Sequence, residues 1–241
     1  MSTGVIYWLR NDLRLHDNLA LLLAARRARE QGGWLLPVYL HDSQQQRDTR
    51  WGFARMGRHR QVFLAQALDD LKPRLQALGS DLIELQGSPA LLLPGLMRQL
   101  GASRLVCEAI AAPEEQDAVQ ALRAAGLQVE MVWQSSLIDP ADLPFRPEAL
   151  PDAFTTFRQK LERAGALEAL PRPAPDALPP LPAAVAAMVP GAAGDSAAEG
   201  APALRAWLAA ATARPDIPPA AADPRSSFPY AEARCHGGER A

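Results

Sequence analysis

The sequence predicts an α/β fold: a Rossmann-like, doubly wound sheet of five parallel strands in the order 3-2-1-4-5, followed by a proline- and alanine-rich linker. Two observations predict the sheet. Short apolar runs alternate with segments long enough for crossover helices, and most of these runs are apolar throughout, as in strands buried on both faces. A third observation predicts the linker: residues 171–241 carry 13 of the chain's 22 prolines, together with 23 alanines. Such a stretch cannot bury much apolar surface.

The five strand candidates are short runs rich in branched apolar and aromatic residues. They span residues 5–9, 34–40, 82–86, 104–107 and 128–133. Each is separated from the next by enough residues for a helix, and right-handed crossovers would place these helices on both faces of the sheet.

The helix between the second and third strands has the clearest pattern. Its leucines recur at spacings of four and three, which places one apolar stripe against the sheet; they are Leu64, Leu68, Leu71, Leu75 and Leu78. Gly79 ends this helix. The other predicted helices cover residues 19–29, 89–100, 113–125 and, after a loop at 139–145, about 153–163. Those at 89 and 113 begin with proline and end near glycine, the expected asymmetry.

Composition sets the outer limits. A chain of 241 residues with 48% hydrophobic content can build one large or two small domains, and we divide it into a sheet domain at 1–170 and a linker at 171–241, with a short helix near 203–213. No apolar run is long enough to span a bilayer and no leader pattern opens the chain, so a soluble cytoplasmic protein is expected. The formal charge of −2 argues against a chain that coats nucleic acid through bulk electrostatics, but a local basic face made from arginines stays open.

The topology predicts where a ligand binds. In the order 3-2-1-4-5 the loops after the first and fourth strands diverge and open a crevice at the carboxyl ends of these strands. Arg10 and Asn11 should therefore face Cys107, Glu108 and the helix start at Glu114-Glu115. The first loop lacks the G-x-G-x-x-G pattern of dinucleotide-binding enzymes, and the P-loop pattern is absent too.

From the residues alone, two of these positions have an equally good structural explanation. Cys107 ends an apolar strand and is expected to be a small buried hydrophobe. Glu114 and Glu115 suit the first turn of a helix with no ligand at all, because acids there interact well with the macrodipole. Cys107 and Cys235 lie in unlike contexts, so we predict neither a disulfide nor a metal site. No catalytic constellation can be assembled, and no catalytic residue is predicted.

The loop after the first strand, from Trp8 to Asn18, is too charged to be a simple connector. It reads W-L-R-N-D-L-R-L-H-D-N and resembles the opening motif W-F-R-x-D-L-R-x-x-D-N of the photolyase/cryptochrome family, with Asn11 and His16 favouring the DASH cryptochromes. Physically, Asp12, Arg14 and Asp17 are expected to form a local ion-pair and capping network, with Asp17 or Asn18 as the N-cap of the first helix. Only Arg10 is given a binding role.

The resemblance continues along the chain. Residues 58–64 are similar to the family's F-R-x-x-F-L segment, 79–82 to its G-S-D-L, and 136–158 to the DASH pattern T-L-x-x-x-x-D-L-P-F followed by P-x-x-F-T-x-F-R. Together these segments cover residues 5 to about 162 in the family's order. Gly237-Gly238-Glu239 resembles the G-G-E that opens the family's helical flavin domain.

The resemblance implies an N-terminal portion of a cryptochrome DASH or DNA photolyase. It implies a methenyltetrahydrofolate antenna held by Glu114, and less strongly by Glu115, with FAD and the repair of pyrimidine-dimer DNA belonging to the helical domain. The chain alone is then expected to be inactive. Trp8, Trp34, Trp51 and Trp133 are expected to pack in the core rather than to relay electrons. The alternative is a non-catalytic orphan domain that binds a pigment or nucleotide and works with a partner protein.

Overall fold

The structure is a computed structural model that describes residues 3–165 and 171–186. Its centre is a five-stranded sheet in the order β3-β2-β1-β4-β5, in which every neighbouring pair is parallel. The strands are β1 (Gly4–Leu9), β2 (Leu35–His41), β3 (Ile83–Gln86), β4 (Ala102–Ala109) and β5 (Val129–Trp133). The predicted fold class and strand order are confirmed.

In residues 3–165 and 171–186, four α-helices connect the strands and two more follow the sheet. They are α1 (Leu19–Glu30), α2 (Arg58–Ala77), α3 (Pro89–Leu100), α4 (Pro113–Ala124), α5 (Phe154–Ala164) and α6 (Ala183–Ala186). The predicted bounds of α1, α3, α4 and α5 agree with these to within a residue or so. Helix α2 begins six residues before its leucine stripe, directly after Gly57.

Each face of the sheet has its own core. Along β1 the side chains alternate, so Val5, Tyr7 and Leu9 pack with α1 and α2, whereas Ile6 and Trp8 pack with α3 and α4. The stripe of α2 behaves as predicted: Leu68, Leu71 and Leu75 are buried, and Leu64 and Leu78 are partly buried against the same core. Helices on both faces explain why the strand sequences are nearly continuous in apolar residues.

Two of the four tryptophans do not follow the core-packing expectation. Trp133, in the edge strand β5, is only partly buried and belongs to neither core. Trp8 and Trp34 are 4% and 1% exposed, but Trp51 is 67% exposed and lies in the loop between β2 and α2. The core-packing prediction is therefore wrong for Trp51 and Trp133. This loop folds back on itself through an antiparallel bridge between Asp48 and Ala54, and residues 50–53 between them are exposed.

The start of the predicted linker packs against the sheet domain. The Leu178 amide donates to the Leu78 carbonyl (2.7 Å), and the Leu178 and Val185 side chains, 4% and 8% exposed, each complete one of the two cores. The division at residue 170 stays a prediction. The predicted helix at 203–213 and the Gly237-Gly238-Glu239 motif lie outside the described residues. Within residues 3–165 and 171–186, no helix has the length and apolar character needed to span a bilayer.

Candidate ligand-binding cleft

A cleft of about 380 Å³ opens at the carboxyl ends of β1 and β2, between the first turns of α3 and α4. Its floor is apolar and aromatic, with Trp8, Leu9, Tyr39 and Leu40. Polar side chains surround this floor; they are Arg10, Asn11, Asp42, Gln44, Gln45, Arg55, Ser88, Glu114, Glu115 and Asp117. An apolar floor with convergent polar groups is the usual composition of a small-molecule site.

Asp12 holds the loop that forms one wall of this cleft. Its carboxylate is fully buried and accepts hydrogen bonds from the Tyr7 hydroxyl, the Arg10 amide (2.9 Å) and the Gln134 side chain (2.9 Å). Burial, together with the Asp12 carboxylate, holds the pKa of the Tyr7 hydroxyl well above its usual range. The motif aspartate thus holds the turn together and does not line the cleft.

Asn18 is the N-cap of α1, which decides between the two predicted caps. Its side-chain oxygen accepts from the Leu21 amide (2.9 Å), and its amide donates to the carbonyls of Asp12 (3.2 Å) and Arg14 (2.8 Å). Asp17 has a positive φ of 49°, and its carbonyl accepts from the Arg14 guanidinium (3.0 Å). The predicted cap at Asn18 is present, but the predicted ion pairs are not found among the described residues, since Arg14 bonds the Asp17 backbone carbonyl instead of a carboxylate.

Arg10 ties the end of β1 to β4 and α4. Its side chain is 4% exposed and lies over the Trp8 ring, with 4.7 Å between the guanidinium carbon and the ring centre. It donates to the carbonyls of Glu108 (3.1 Å) and Glu115 (3.0 Å) and forms an ion pair with the Glu115 carboxylate. Within the described parts of the chain, its buried Nε has no hydrogen-bond partner.

The two glutamates at the start of α4 have different surroundings. Glu115 is 30% exposed in its side chain and pairs with Arg10, whereas Glu114 is 72% exposed and pairs with Arg55 at 2.6 Å. The Arg55 hydrogen bond and charge hold the pKa of Glu114 below its usual range. Both glutamates line the cleft, and Glu114 has the more open carboxylate.

Two predicted site residues do not line the cleft. Cys107 is fully buried in the core shared with α3 and α4, and burial raises the pKa of its thiol to about 12. Glu108 is 5% exposed; its carboxylate accepts from the Ser135 hydroxyl (3.0 Å), and burial raises its pKa. Successive side chains of β4 point to opposite faces, so these neighbours cannot share one pocket. Arg10, Asn11, Glu114 and Glu115 are the predicted residues that the cleft brings together.

The side of the cleft formed by β2 was not among the predicted site residues. Tyr39, near the end of β2, lines it, and burial raises the pKa of its hydroxyl to about 12. Arg55 and Ser88 also line it, from the loop after β2 and from the residue before α3. A signal was available, because β2 lies beside β1 in the predicted order and its carboxyl end must open on the same edge of the sheet.

Comparison with known proteins gives a consistent result. The family model described as DNA photolyase matches residues 5–177. The cryptochrome DASH of Gloeobacter violaceus is 37% identical over 188 residues, which covers 76% of this chain and 37% of that protein. The cryptochrome DASH of Xenopus laevis is 37% identical over 191 residues, covering 75% of this chain and 35% of that protein.

Solved structures agree with the sequence matches. The Synechocystis sp. cryptochrome superposes with a TM-score of 0.69 at 34% identity, covering 75% of this chain and 38% of that one. A bacterial class III photolyase from Agrobacterium tumefaciens superposes with a TM-score of 0.60 at 28% identity, covering 75% and 36%. The chain thus spans less than two fifths of the length of the relatives it matches.

Proposed function

The chain belongs to the photolyase/cryptochrome family, and from this membership we propose that it is the N-terminal, antenna-binding region of a cryptochrome DASH or deoxyribodipyrimidine photolyase. The pigment that we assign to it is a reduced folate, methenyltetrahydrofolate, bound in the cleft between α3 and α4. The observation that supports this assignment is the open carboxylate of Glu114 at the rim of an aromatic-floored cleft.

The residues present fit such a ligand. A cleft of about 380 Å³ falls within the range of small-molecule sites, roughly 300–1,000 Å³. The edge of an aminopyrimidinone ring presents parallel N–H donors, and a carboxylate accepts such a pair in bidentate fashion. Since a carboxylate has about four acceptor positions, Glu114 can hold Arg55 and a ring edge at the same time.

The other predicted site residues act differently from Glu114. Arg10 already donates to Glu108 and Glu115, so we assign it a positioning role that fixes the start of α4 against β1. Asn11 is exposed at the mouth of the cleft, and its amide can donate to and accept from a ligand.

Light-driven repair is proposed for the larger protein, with the chain divided into an antenna domain at 1–170 and a linker at 171–241. FAD, the flavin chemistry and the pyrimidine-dimer DNA would then belong to a helical domain outside the length that this chain shares with its relatives. The described chain would supply the bound antenna, whose excitation passes to the flavin.

Titration with methenyltetrahydrofolate, followed by fluorescence, tests the assignment. Glu114→Ala should weaken binding about tenfold, since it removes charge-assisted hydrogen bonds to the ring, and Glu115→Ala should weaken it less. Glu148→Ala is the matched control: Glu148 is an exposed glutamate that also begins a short helical turn, outside the cleft. Equal affinity of wild type and all variants would leave Glu114 as a helix-start residue only.

Thermal unfolding of each variant must accompany the titration. Glu115→Ala leaves the buried Arg10 without its ion-pair partner, which destabilises the fold on its own account. Glu115→Gln retains a hydrogen-bond acceptor for Arg10 and separates a folding defect from a loss of ligand contact.

A further inference from the structure

Three of the four carboxylates that line the cleft come from the start of α4, at Glu114, Glu115 and Asp117. The opposite side is built from the end of β2 and the first turn of α3, and this turn contains no acidic residue. The fourth carboxylate, Asp42, accepts from the Gln44 amide (2.9 Å) and caps the short helical turn after β2. The acids of the cleft are therefore concentrated on its α4 side.

The side formed by β2 and α3 carries hydrogen-bond donors that have no acceptor within residues 3–165 and 171–186. They are the hydroxyls of Tyr39 and Ser88 and the backbone amide of Ala90, and we call them the donor end of the cleft. Ser88 is the N-cap of α3, but its side chain makes no capping hydrogen bond. Pro89 has no amide hydrogen, and the Leu91 amide donates back to the Ser88 carbonyl (3.1 Å). Ala90 thus presents the free amide of this first turn.

Tyr39 is the member of the donor end that points most directly to a ligand. It is only 5% exposed, yet its hydroxyl bonds to no other group in the described part of the chain. Buried hydroxyls are normally hydrogen-bonded, because an unmade bond costs free energy. Burial is the main cause that raises the pKa of this hydroxyl to about 12, and Glu115 and Asp42, which also line the cleft, add to it. The hydroxyl therefore stays protonated at neutral pH and can donate to a ligand.

The first turn of α3 adds a field that favours an acceptor. Helix α3 has 12 residues, and the positive end of its macrodipole lies at the cleft. At α4 the same field is balanced by Glu114 and Glu115 in the first turn, whereas α3 has its one charged residue, Arg98, in the last turn. A negatively charged group of a ligand is thus stabilised at α3 and repelled at α4.

We propose that the donor end of the cleft binds a carboxylate of the folate's glutamyl tail, and that Tyr39 is the residue that selects for this tail. The inference rests on the proposed function, which places the pterin edge at Glu114. A folate has ring donors at one end and carboxylates at the other, so it matches a cleft with acceptors on α4 and donors on β2 and α3. A carboxylate has about four acceptor positions, enough for the Tyr39 and Ser88 hydroxyls and the Ala90 amide.

Fluorescence titration of the full chain with two ligands tests the proposal. One is methenyltetrahydrofolate, and the other is its tail-less amide, in which an amino group takes the place of the glutamate. Tyr39→Phe should weaken binding of the folate about tenfold, the loss of one hydrogen bond to a charged group, and should leave binding of the amide unchanged. Ser88→Ala should act in the same direction. Glu114→Ala should weaken binding of both ligands by the same factor, since both carry the pterin ring.

Tyr7→Phe is the matched control, because it removes the hydroxyl of a buried tyrosine that does not line the cleft. The Tyr7 hydroxyl donates to Asp12 and accepts from the Asn18 amide (2.8 Å). This variant should therefore lose thermal stability but keep the ratio of the two ligand affinities. Tyr39→Phe removes a hydroxyl without such partners, so its unfolding temperature should not fall.

The outcomes separate this inference from the antenna assignment on which it rests. If Tyr39→Phe weakens both ligands alike, or neither, while Glu114→Ala weakens both, the antenna assignment stands and recognition of the tail at Tyr39 is wrong. A fall in the unfolding temperature of Tyr39→Phe as large as that of Tyr7→Phe would show that the hydroxyl is already bonded within the protein, which also contradicts the inference. Failure of the wild-type chain to bind either ligand would overturn the antenna assignment and this inference together.

Discussion

At the scale of single residues, the opening motif is used mainly for the turn after β1. Asp12 accepts three hydrogen bonds in the interior, and Asn18 caps α1 and bonds two loop carbonyls. The Arg10 guanidinium also bonds within the protein, to two backbone carbonyls and to the Glu115 carboxylate. The residues that mark the family most clearly are therefore those that build the wall of the cleft, and we propose ligand contacts for neighbours such as Glu114.

Glu108 should make the stability of the chain depend on pH. Burial and then the nearby Asp12 carboxylate raise its pKa above the ordinary value of 4.5, so the folded state holds this proton more tightly than the unfolded chain does. The free energy of unfolding should fall as pH rises from 4.5 through the folded pKa. Relative to wild type, Glu108→Gln should thus gain stability across this window, as measured by urea unfolding between acid and neutral pH.

Glu130 provides a control of opposite sign. Its burial acts to raise its pKa, but hydrogen bonds from Arg27 and Arg104 outweigh this effect and lower it. The stabilisation from Glu130 is present at pH values above the ordinary glutamate pKa, and it is lost as pH falls through the lowered pKa of the folded state. Glu130→Gln should therefore cost more stability at neutral pH than in acid. The same pH trend in both variants would contradict this account of Glu108.

At the scale of elements, α2 offers a direct test of how the sheet is covered. Leu71 is 2% exposed against the sheet, so Leu71→Ala should lower the free energy of unfolding by about 2–5 kcal/mol. Phe63 lies on the same helix and is 71% exposed. Phe63→Ala should therefore change the free energy of unfolding by about 0.5 kcal/mol or less. Urea unfolding measures both. Similar losses for the two variants would show that the helix does not use its leucine stripe for packing.

Regular elements were predictable because a period is visible in the sequence. The leucines of α2 repeat every three or four residues, and Pro89 and Pro113 mark helix starts, so these elements follow from local chemistry. The loop before α2 has no period. Large apolar residues are usually buried, which led to a core position for Trp51, but a bridge between Asp48 and Ala54 places this ring outside.

The candidate site was predictable in part for a similar reason. A rule of topology placed Arg10 and Glu114 at the same edge of the sheet, and both line the cleft. The same rule cannot say which way a side chain points from the end of a strand. Cys107 and Glu108 were therefore assigned to the crevice, whereas one is buried in the core and the other bonds Ser135 on the opposite face.

At the scale of the whole molecule, two surfaces meet at one ion pair. The Arg55–Glu114 contact lines both the proposed antenna cleft and a depression beside Trp51. Because the Glu114 carboxylate has further acceptor positions, a bound pigment can leave the Arg55 contact in place.

Binding of an antenna pigment would not make this region a repair enzyme. Electron transfer to a dimer requires a flavin enclosed beside the lesion, and the described residues offer an open cleft whose charged groups are largely paired with one another. We expect the purified chain to retain less than one equivalent of FAD after gel filtration. With FAD, a reductant and a thymine-dimer oligonucleotide under blue light, it should repair nothing above the flavin-only background.

A full-length cryptochrome DASH that binds flavin under the same conditions is the control for FAD retention. The repair assay is calibrated with a thymine-dimer oligonucleotide whose dimers have been reversed chemically. The recovery of thymine absorbance in this sample gives the signal for complete repair. Multiple-turnover repair by this chain without a second protein would contradict the assignment of flavin chemistry to another domain. It would mean that a flavin can sit productively in the open cleft, with Glu114 or Arg10 contacting the ring, and the antenna proposal would then have to give way to a catalytic one.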